Sequence, residues 1–320
     1  MISRVILSAT LLFTSVVAFA QTEEVILPSE RKQLTIVTEP FTLYKGFFRV
    51  GTALQYAAFY KIFDADGARV PVSNSSGKTW ASQVLLQYGF SDRFQVTTAL
   101  PYQTQRVFLS YRVEAPGLNL FEQQKLEGHG SGLSDLWIGL DYQLLTETTN
   151  RPALKGMLTI TVPTGAKNPV DTGDPAIFDM PVGAGHYSVD AAFSLRKIVY
   201  PYSWTAYVSY KLNMEGTKQF DLGGPEYAFK DGNLLTLSAS HSIHMNEWLA
   251  LTNEVYCFFS GTDIENGQEL NDSAGWVTQY SPKISFQINR LRINQAIQLP
   301  LIGKLSSADP GFILVVQYVL

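Results

Sequence analysis

One cysteine, Cys257, stands among 320 residues, so the chain can build neither an internal disulfide nor a cysteine metal cluster. Histidine is nearly as scarce, with four. Charged residues make up 16 %, well short of the roughly one quarter usual in soluble domains. Their balance of −4 leaves no basic footprint for nucleic acid or for an anionic membrane surface. Past the N-terminus, no run reaches the ~18 consecutive apolar residues that a spanning helix needs. What the chain does have is aromatics, 19 Phe, 16 Tyr and 5 Trp, within an apolar content of 46 %.

The first residues, "MISRVILSATLLFTSVVAFAQ", carry Arg4, an apolar run, and Ala18-Phe19-Ala20 ahead of Gln21. This is the pattern of a cleaved secretory signal peptide, expected over residues 1–20. No cysteine follows the apolar run to take a lipid anchor. The mature chain is therefore expected outside the cytoplasm, either soluble or in a β-barrel.

From Phe47 onward the hydrophobic period is two, the signature of strands. Twelve such segments occur. In "FFRVGTALQYAAFY", Phe48, Val50, Leu54, Tyr56, Ala58 and Tyr60 share one face. In "DLWIGLDYQLL", Leu136, Ile138, Leu140, Tyr142 and Leu144 oppose Asp135, Asp141 and Gln143. "SWTAYVSYKL" sets Trp204, Ala206, Val208, Tyr210 and Leu212 against Thr205, Ser209 and Lys211. "WLALTNEVYCFF" is less regular, since Asn253 falls on the face of Leu249, Leu251 and Val255. The last segment is "GFILVVQYVL", ending at Leu320.

A soluble sandwich also alternates, so the connections decide. Expected long ones are 61–78, 104–130, 163–185, 213–232, 261–275 and 303–310; short ones are 91–93, 146–151, 197–201, 245–247 and 289–290. Strict alternation of long and short connections is the pattern of outer-membrane barrels. The fold class expected is thus all-β: a transmembrane antiparallel up-and-down β-barrel of about twelve strands. The barrel covers residues 47–320, and residues 21–46 form a periplasmic arm, a plug or an extra strand. An open strand edge in lipid leaves backbone groups unsatisfied. The last strand is therefore expected to close on the first.

Within this wall, "YGFSDRFQVTTALPY" (Tyr88–Tyr102), "GSGLSDLWIGLDYQLL" (Gly130–Leu145), "LTITVPTG" (Leu158–Gly165) and "GAGHYSVDAAFSLRK" (Gly183–Lys197) follow in order. Together they resemble the meta-pathway phenol-degradation family of outer-membrane proteins. "SPKISFQINRLRINQAIQLPLIG" (Ser281–Gly303) is similar to that family's last hairpin. The resemblance implies a bacterial outer-membrane location and transport linked to aromatic catabolism. It brings no site residues. Outer-membrane barrels often end on Phe; here the end is Leu320, and Tyr318 keeps an aromatic for the barrel-assembly machinery.

Motifs for catalysis are sparse. His241 and His244 are three apart, hence on opposite faces of a strand. A lipid-hydrolysing barrel, the third reading, predicts a Ser beside a His on the wall; Ser240 and Ser242 flank His241 but face away from it, so no local nucleophile–base pair forms. "DADG" (Asp64–Gly67) and "GTDIENGQELND" (Gly261–Asp272) are acidic, but their spacing is not that of a calcium loop, and solvated outer loops are the plainer reading. No enzyme activity, metal or cofactor is expected.

The inward face is where selection would operate. Alternation places Arg49, Asp135, Asp141, Lys155, Asp190, Arg196, Lys211, Glu254, Lys283 and Arg292 there, because a charge on the lipid face costs about 2–4 kcal/mol at the midplane. Phe47, Phe59, Trp137, Tyr207, Tyr256 and Phe258 share that face. Lys155, Asp190, Lys211, Glu254 and Arg292 are the mid-strand charges expected to matter most. The mixture suits a channel for small organic solutes, aromatic ones included; it equally suits a sealed barrel acting through its outer loops. The partners expected are the lipid bilayer, a small-molecule solute and the assembly machinery, with no nucleic acid.

Overall fold

The computed structural model describes residues 41–72, 75–114, 121–168, 170–171, 177–219 and 225–320. The expected signal peptide, and residues 21–40 of the expected arm, lie outside the described residues.

Twelve strands form the wall: β1 (Phe48–Phe59), β2 (Ser75–Ser91), β3 (Phe94–Glu114), β4 (Leu136–Leu145), β5 (Ala153–Val162), β6 (Ser188–Val199), β7 (Tyr202–Asn213), β8 (Leu234–His244), β9 (Leu249–Ser260), β10 (Gly275–Ile288), β11 (Leu291–Lys304) and β12 (Gly311–Val319). Each pairs antiparallel with its sequence neighbours, and β1 pairs with both β2 and β12. The closing seam runs from Arg49↔Val319 to Tyr56↔Phe312, and the Leu320 amide donates to Phe48 O at 2.7 Å. The final hydrophobic strand thus removes the last sheet edge, which lipid would not tolerate.

Alternation along each strand turns the usual burial pattern inside out. On β2 the exposed side chains are Trp80, Val84, Leu86, Tyr88 and Phe90; on β4 they are Ile138, Leu140, Tyr142 and Leu144. Polar side chains fill the opposite face, with Gln95, Thr97, Asp141, Gln143, Ser194, Ser209, Thr252 and Gln287 all buried. Exposed aromatics gather toward strand ends. Trp80, Tyr102 and Tyr187 mark the long-loop end, and Tyr88, Tyr142, Tyr202, Trp248 and Tyr318 the short-turn end. Such belts belong at the two membrane interfaces. Asn253 does lie on the lipid face, where its Oδ1 accepts the hydroxyl proton of Tyr280 on the next strand. That bond satisfies a polar group that hydrocarbon would otherwise leave stranded.

The stretch 104–130, expected as a long loop, is mostly strand. β3 continues to Glu114 and pairs with Phe121–Leu133, which extends the line of β4 outward past a break at Ser134-Asp135. Its alternation weakens because both faces of this extension lie beyond the membrane, where no lipid enforces a pattern. The remaining long loops also pair: Lys61–Phe63 with Arg69–Pro71 and Ser306–Ser307, and Gly216–Lys218 with Tyr227–Lys230, which continues to Ile264–Glu265.

Candidate functional site

The inward face is built from the short-turn end upward. The first described residues, Phe41 to Gly46, enter at that end and lie against side chains of several strands. Thr42 Oγ1 donates to Asp92 O at 3.0 Å and bonds Gln143 Oε1 at 3.2 Å. The Leu43 amide donates to Gln95 Oε1 at 2.6 Å, and the Lys45 amide to Asp92 Oδ1 at 3.1 Å. Thr42, Leu43 and Tyr44 are all buried, and Phe47 packs edge-on against Tyr44. Two glycines permit this fit. Gly46 turns the chain into β1 at φ +82°, a conformation that L side chains avoid. Gly89 lets β2 approach so closely that a Cβ there would lie 2.1 Å from Tyr44 O.

A polar network spreads from this segment. Gln95 Nε2 donates to Asp141 Oδ2 at 2.7 Å, and Lys155 Nζ pairs with the same oxygen at 3.4 Å. Arg49 donates to Gln87 Oε1 at 3.1 Å, and Gln87 in turn to Thr97 Oγ1 at 3.1 Å. Arg196 faces Glu147 at 3.9 Å, and Arg292 Nε donates to Asn294 Oδ1 at 3.1 Å. The Phe41 ring lies under both Lys155 Nζ (5.0 Å to the centroid) and Arg196 Cζ (4.5 Å).

Farther along the lumen, Lys283 pairs with Glu254 at 3.5 Å, and Asp190 sits directly opposite Lys211 in the β6–β7 ladder. Tyr256 and Phe258 stack with centroids 5.7 Å apart. Tyr207, Tyr256, Phe258, Asp190 and Lys211 are all only half-buried, whereas Gln95, Asp141 and Gln143 nearer the short turns are buried. Buried polar side chains occur at both ends of the inward face, with Gln95, Asp141 and Gln143 near the short turns and Ser188, Ser209, Asn213 and Thr236 toward the long loops.

Asp135 has a different place. It lies in the break before β4, where its carboxylate accepts the amides of Gly165 (3.0 Å) and Ala184 (2.7 Å). It fastens both ends of the outer loop between β5 and β6 to the rim. A second fastening joins His186 Nε2 and Lys218 (3.0 Å) to the carboxylate of Asp231, outside the membrane. Burial pushes the Asp231 carboxyl up, but His186 and Lys218 outweigh it and hold it below the usual carboxylate range. Asp64 accepts the amides of Asp66 (3.0 Å) and Ala68 (2.8 Å), so it shapes its own turn.

One contact was invisible to sequence reasoning: Ser203 Oγ and His244 Nε2 lie 2.8 Å apart, both buried on the inward face. The residues are 41 apart in sequence and meet only through the β7–β8 register. His244 Nδ1 has no hydrogen-bond partner. A nucleophile–base pair needs a third group to orient the base, and none is present among the described residues. Nor do these hold any group of three His, Cys, Asp or Glu suited to a metal ion.

A closed twelve-strand wall, apolar outside and polar within, with aromatic belts at both ends, defines a transmembrane β-barrel of the bacterial outer membrane. The profile of the family described as "Putative MetA-pathway of phenol degradation" matches residues 97–294, more than half of the chain, and the chain belongs to that family. In fold it is similar to the COG4313 outer membrane channel from Pseudomonas putida F1, with a TM-score of 0.66 at 13 % identity, covering 87 % of this chain and 97 % of that one. A weaker likeness is to the Pseudomonas putida toluene transporter TodX, at 10 % identity and a TM-score of 0.41, over 89 % and 91 %. The monoaromatic hydrocarbon channel CymD gives 9 % and 0.45, over 87 % and 88 %.

Proposed function

We propose that this barrel is an outer-membrane channel that admits small organic solutes, aromatic ones among them, without catalysis or cofactor. The observation that carries the reading is the mixture of rings and charges on the inward face. Half-buried Tyr207 and the stacked Tyr256 and Phe258 share that face with the Asp190–Lys211 cross-strand pair and with a charged floor. Apolar faces with a few placed polar groups are what small organic ligands bind. Asp135 does not belong to this path. The other nine inward charges do, as selectivity elements, with Lys155, Asp190, Lys211, Glu254 and Arg292 foremost.

The rival reading is a sealed barrel acting through its outer loops. The pairing of those loops into small sheets favours it. Alanine substitution of the five foremost residues, followed by single-channel recording, separates the two. A channel shows altered conductance or ion selectivity in at least one variant. A sealed barrel shows none in any, and loses only partner binding when the loops are trimmed.

A further inference from the structure

The Phe41 ring is held in an unusual way. Two cations from adjacent wall strands, Lys155 and Arg196, both lie over it. Each such contact is worth a modest but real attraction, larger where water is scarce. Lys155 and Arg196 side chains are 14 % and 20 % exposed, so the niche is largely desolvated. The described anchors of this segment begin only at Thr42, and Phe41 itself is half-buried. The ring can therefore leave without unseating Thr42, Leu43 or Lys45.

The same floor holds a buried ring nitrogen without a hydrogen-bond partner, His244 Nδ1. With the Ser203 hydroxyl donating to His244 Nε2, the proton of that ring sits on Nδ1, where it meets no acceptor. Arg196 lies close enough for its charge to act on His244. A flat aromatic ring carrying one negative group would match this niche. Its face would replace Phe41 under the two cations, and its anionic group would meet the Arg196 guanidinium.

We propose that the Phe41 niche is a binding site for a small aromatic carboxylate, and that Phe41 is a built-in competitor which occupies it until the solute arrives. This deepens the channel reading and rests on it, since the solute must enter the lumen to reach the floor. Self-occupancy lowers apparent affinity to the intrinsic value multiplied by the fraction of time the niche is open. Two cation–ring contacts suffice to keep the niche filled about nine-tenths of the time. Removing the ring should then tighten binding about tenfold.

The test is calorimetric titration of the detergent-solubilised mature protein, its fold verified by the heat-modifiable gel shift, with benzoate and with cyclohexanecarboxylate. Native protein and Phe41→Ala are compared; the substitution leaves the wall untouched. Benzoate should bind Phe41→Ala about tenfold tighter than native protein, and in both proteins it should bind more tightly than cyclohexanecarboxylate, which has no ring face to offer the two cations. Equal or weaker benzoate binding in Phe41→Ala, cyclohexanecarboxylate bound as tightly as benzoate, or no binding in either protein overturns the site. Single-channel recording of the same samples separates this from the channel reading. Conductance steps without the benzoate gain leave the channel standing and remove the site; the gain without steps does the reverse.

Discussion

The Lys155–Asp141 pair offers a quantitative test of the packed floor. Asp141→Asn keeps the shape and the possibility of a bond to Gln95, but removes the charge facing Lys155. Both side chains are close to buried, at 12 % and 14 % exposed, and 3.4 Å apart. Breaking a buried pair from one side costs about 3–5 kcal/mol, because an uncompensated charge remains. The lumen can admit water, so the expectation is the lower end, about 3 kcal/mol. The double variant Asp141→Asn/Lys155→Met removes the stranded charge and should recover most of that loss. The assay is urea unfolding in micelles, followed by the gel shift and by tryptophan fluorescence. A loss under about 0.5 kcal/mol in Asp141→Asn, the level of an ordinary exposed site, would refute a desolvated floor.

Other perturbations probe the rest of the molecule. Val84→Arg places a charge on the lipid face between the Trp80 and Tyr88 belts and should destabilise the barrel by about 2–4 kcal/mol. Gln83→Arg, one residue away and inward, should cost far less in the same unfolding assay. Gly89→Ala forces a Cβ into Tyr44 O; it should lift residues 41–46 and make Lys45 a faster trypsin site than in native protein. The depressed Asp231 carboxyl stabilises the outer-loop clasp above the usual carboxylate range, and that stability is lost as pH falls through the lower folded-state value. Hydrogen exchange around Gly216–Lys218, taken relative to the intrinsic amide rate at each pH, should therefore become faster in acid. In Asp231→Asn it should already be fast at neutral pH.

Much of the wall is legible in the chain because lipid imposes a rule on every second residue. Val84, Leu86, Leu140 and Val208 cannot be polar without penalty, so the period of two survives in each spanning segment. The alternation of loop lengths follows from the same geometry. Where lipid does not reach, the rule lapses, and the continuation of β3 to Glu114 left too little pattern to read. The inward face was legible as a list but not as a set of contacts. That Lys155 meets Asp141, or that Ser203 meets His244, depends on strand register, which alternation alone does not fix. Asp135 shares the parity of Asp141 but sits in a strand break that alternation cannot signal. Phe41 lies in a segment without periodicity, and only the fold brings it beneath Arg196.

The most direct test of a solute-conducting lumen is single-channel recording of the refolded mature protein in a planar bilayer, beside Gly89→Ala. Small discrete steps are expected from the native protein and larger ones when the floor segment is displaced. Silence from both, in samples that pass the gel-shift check, would contradict an open path and return attention to the outer loops.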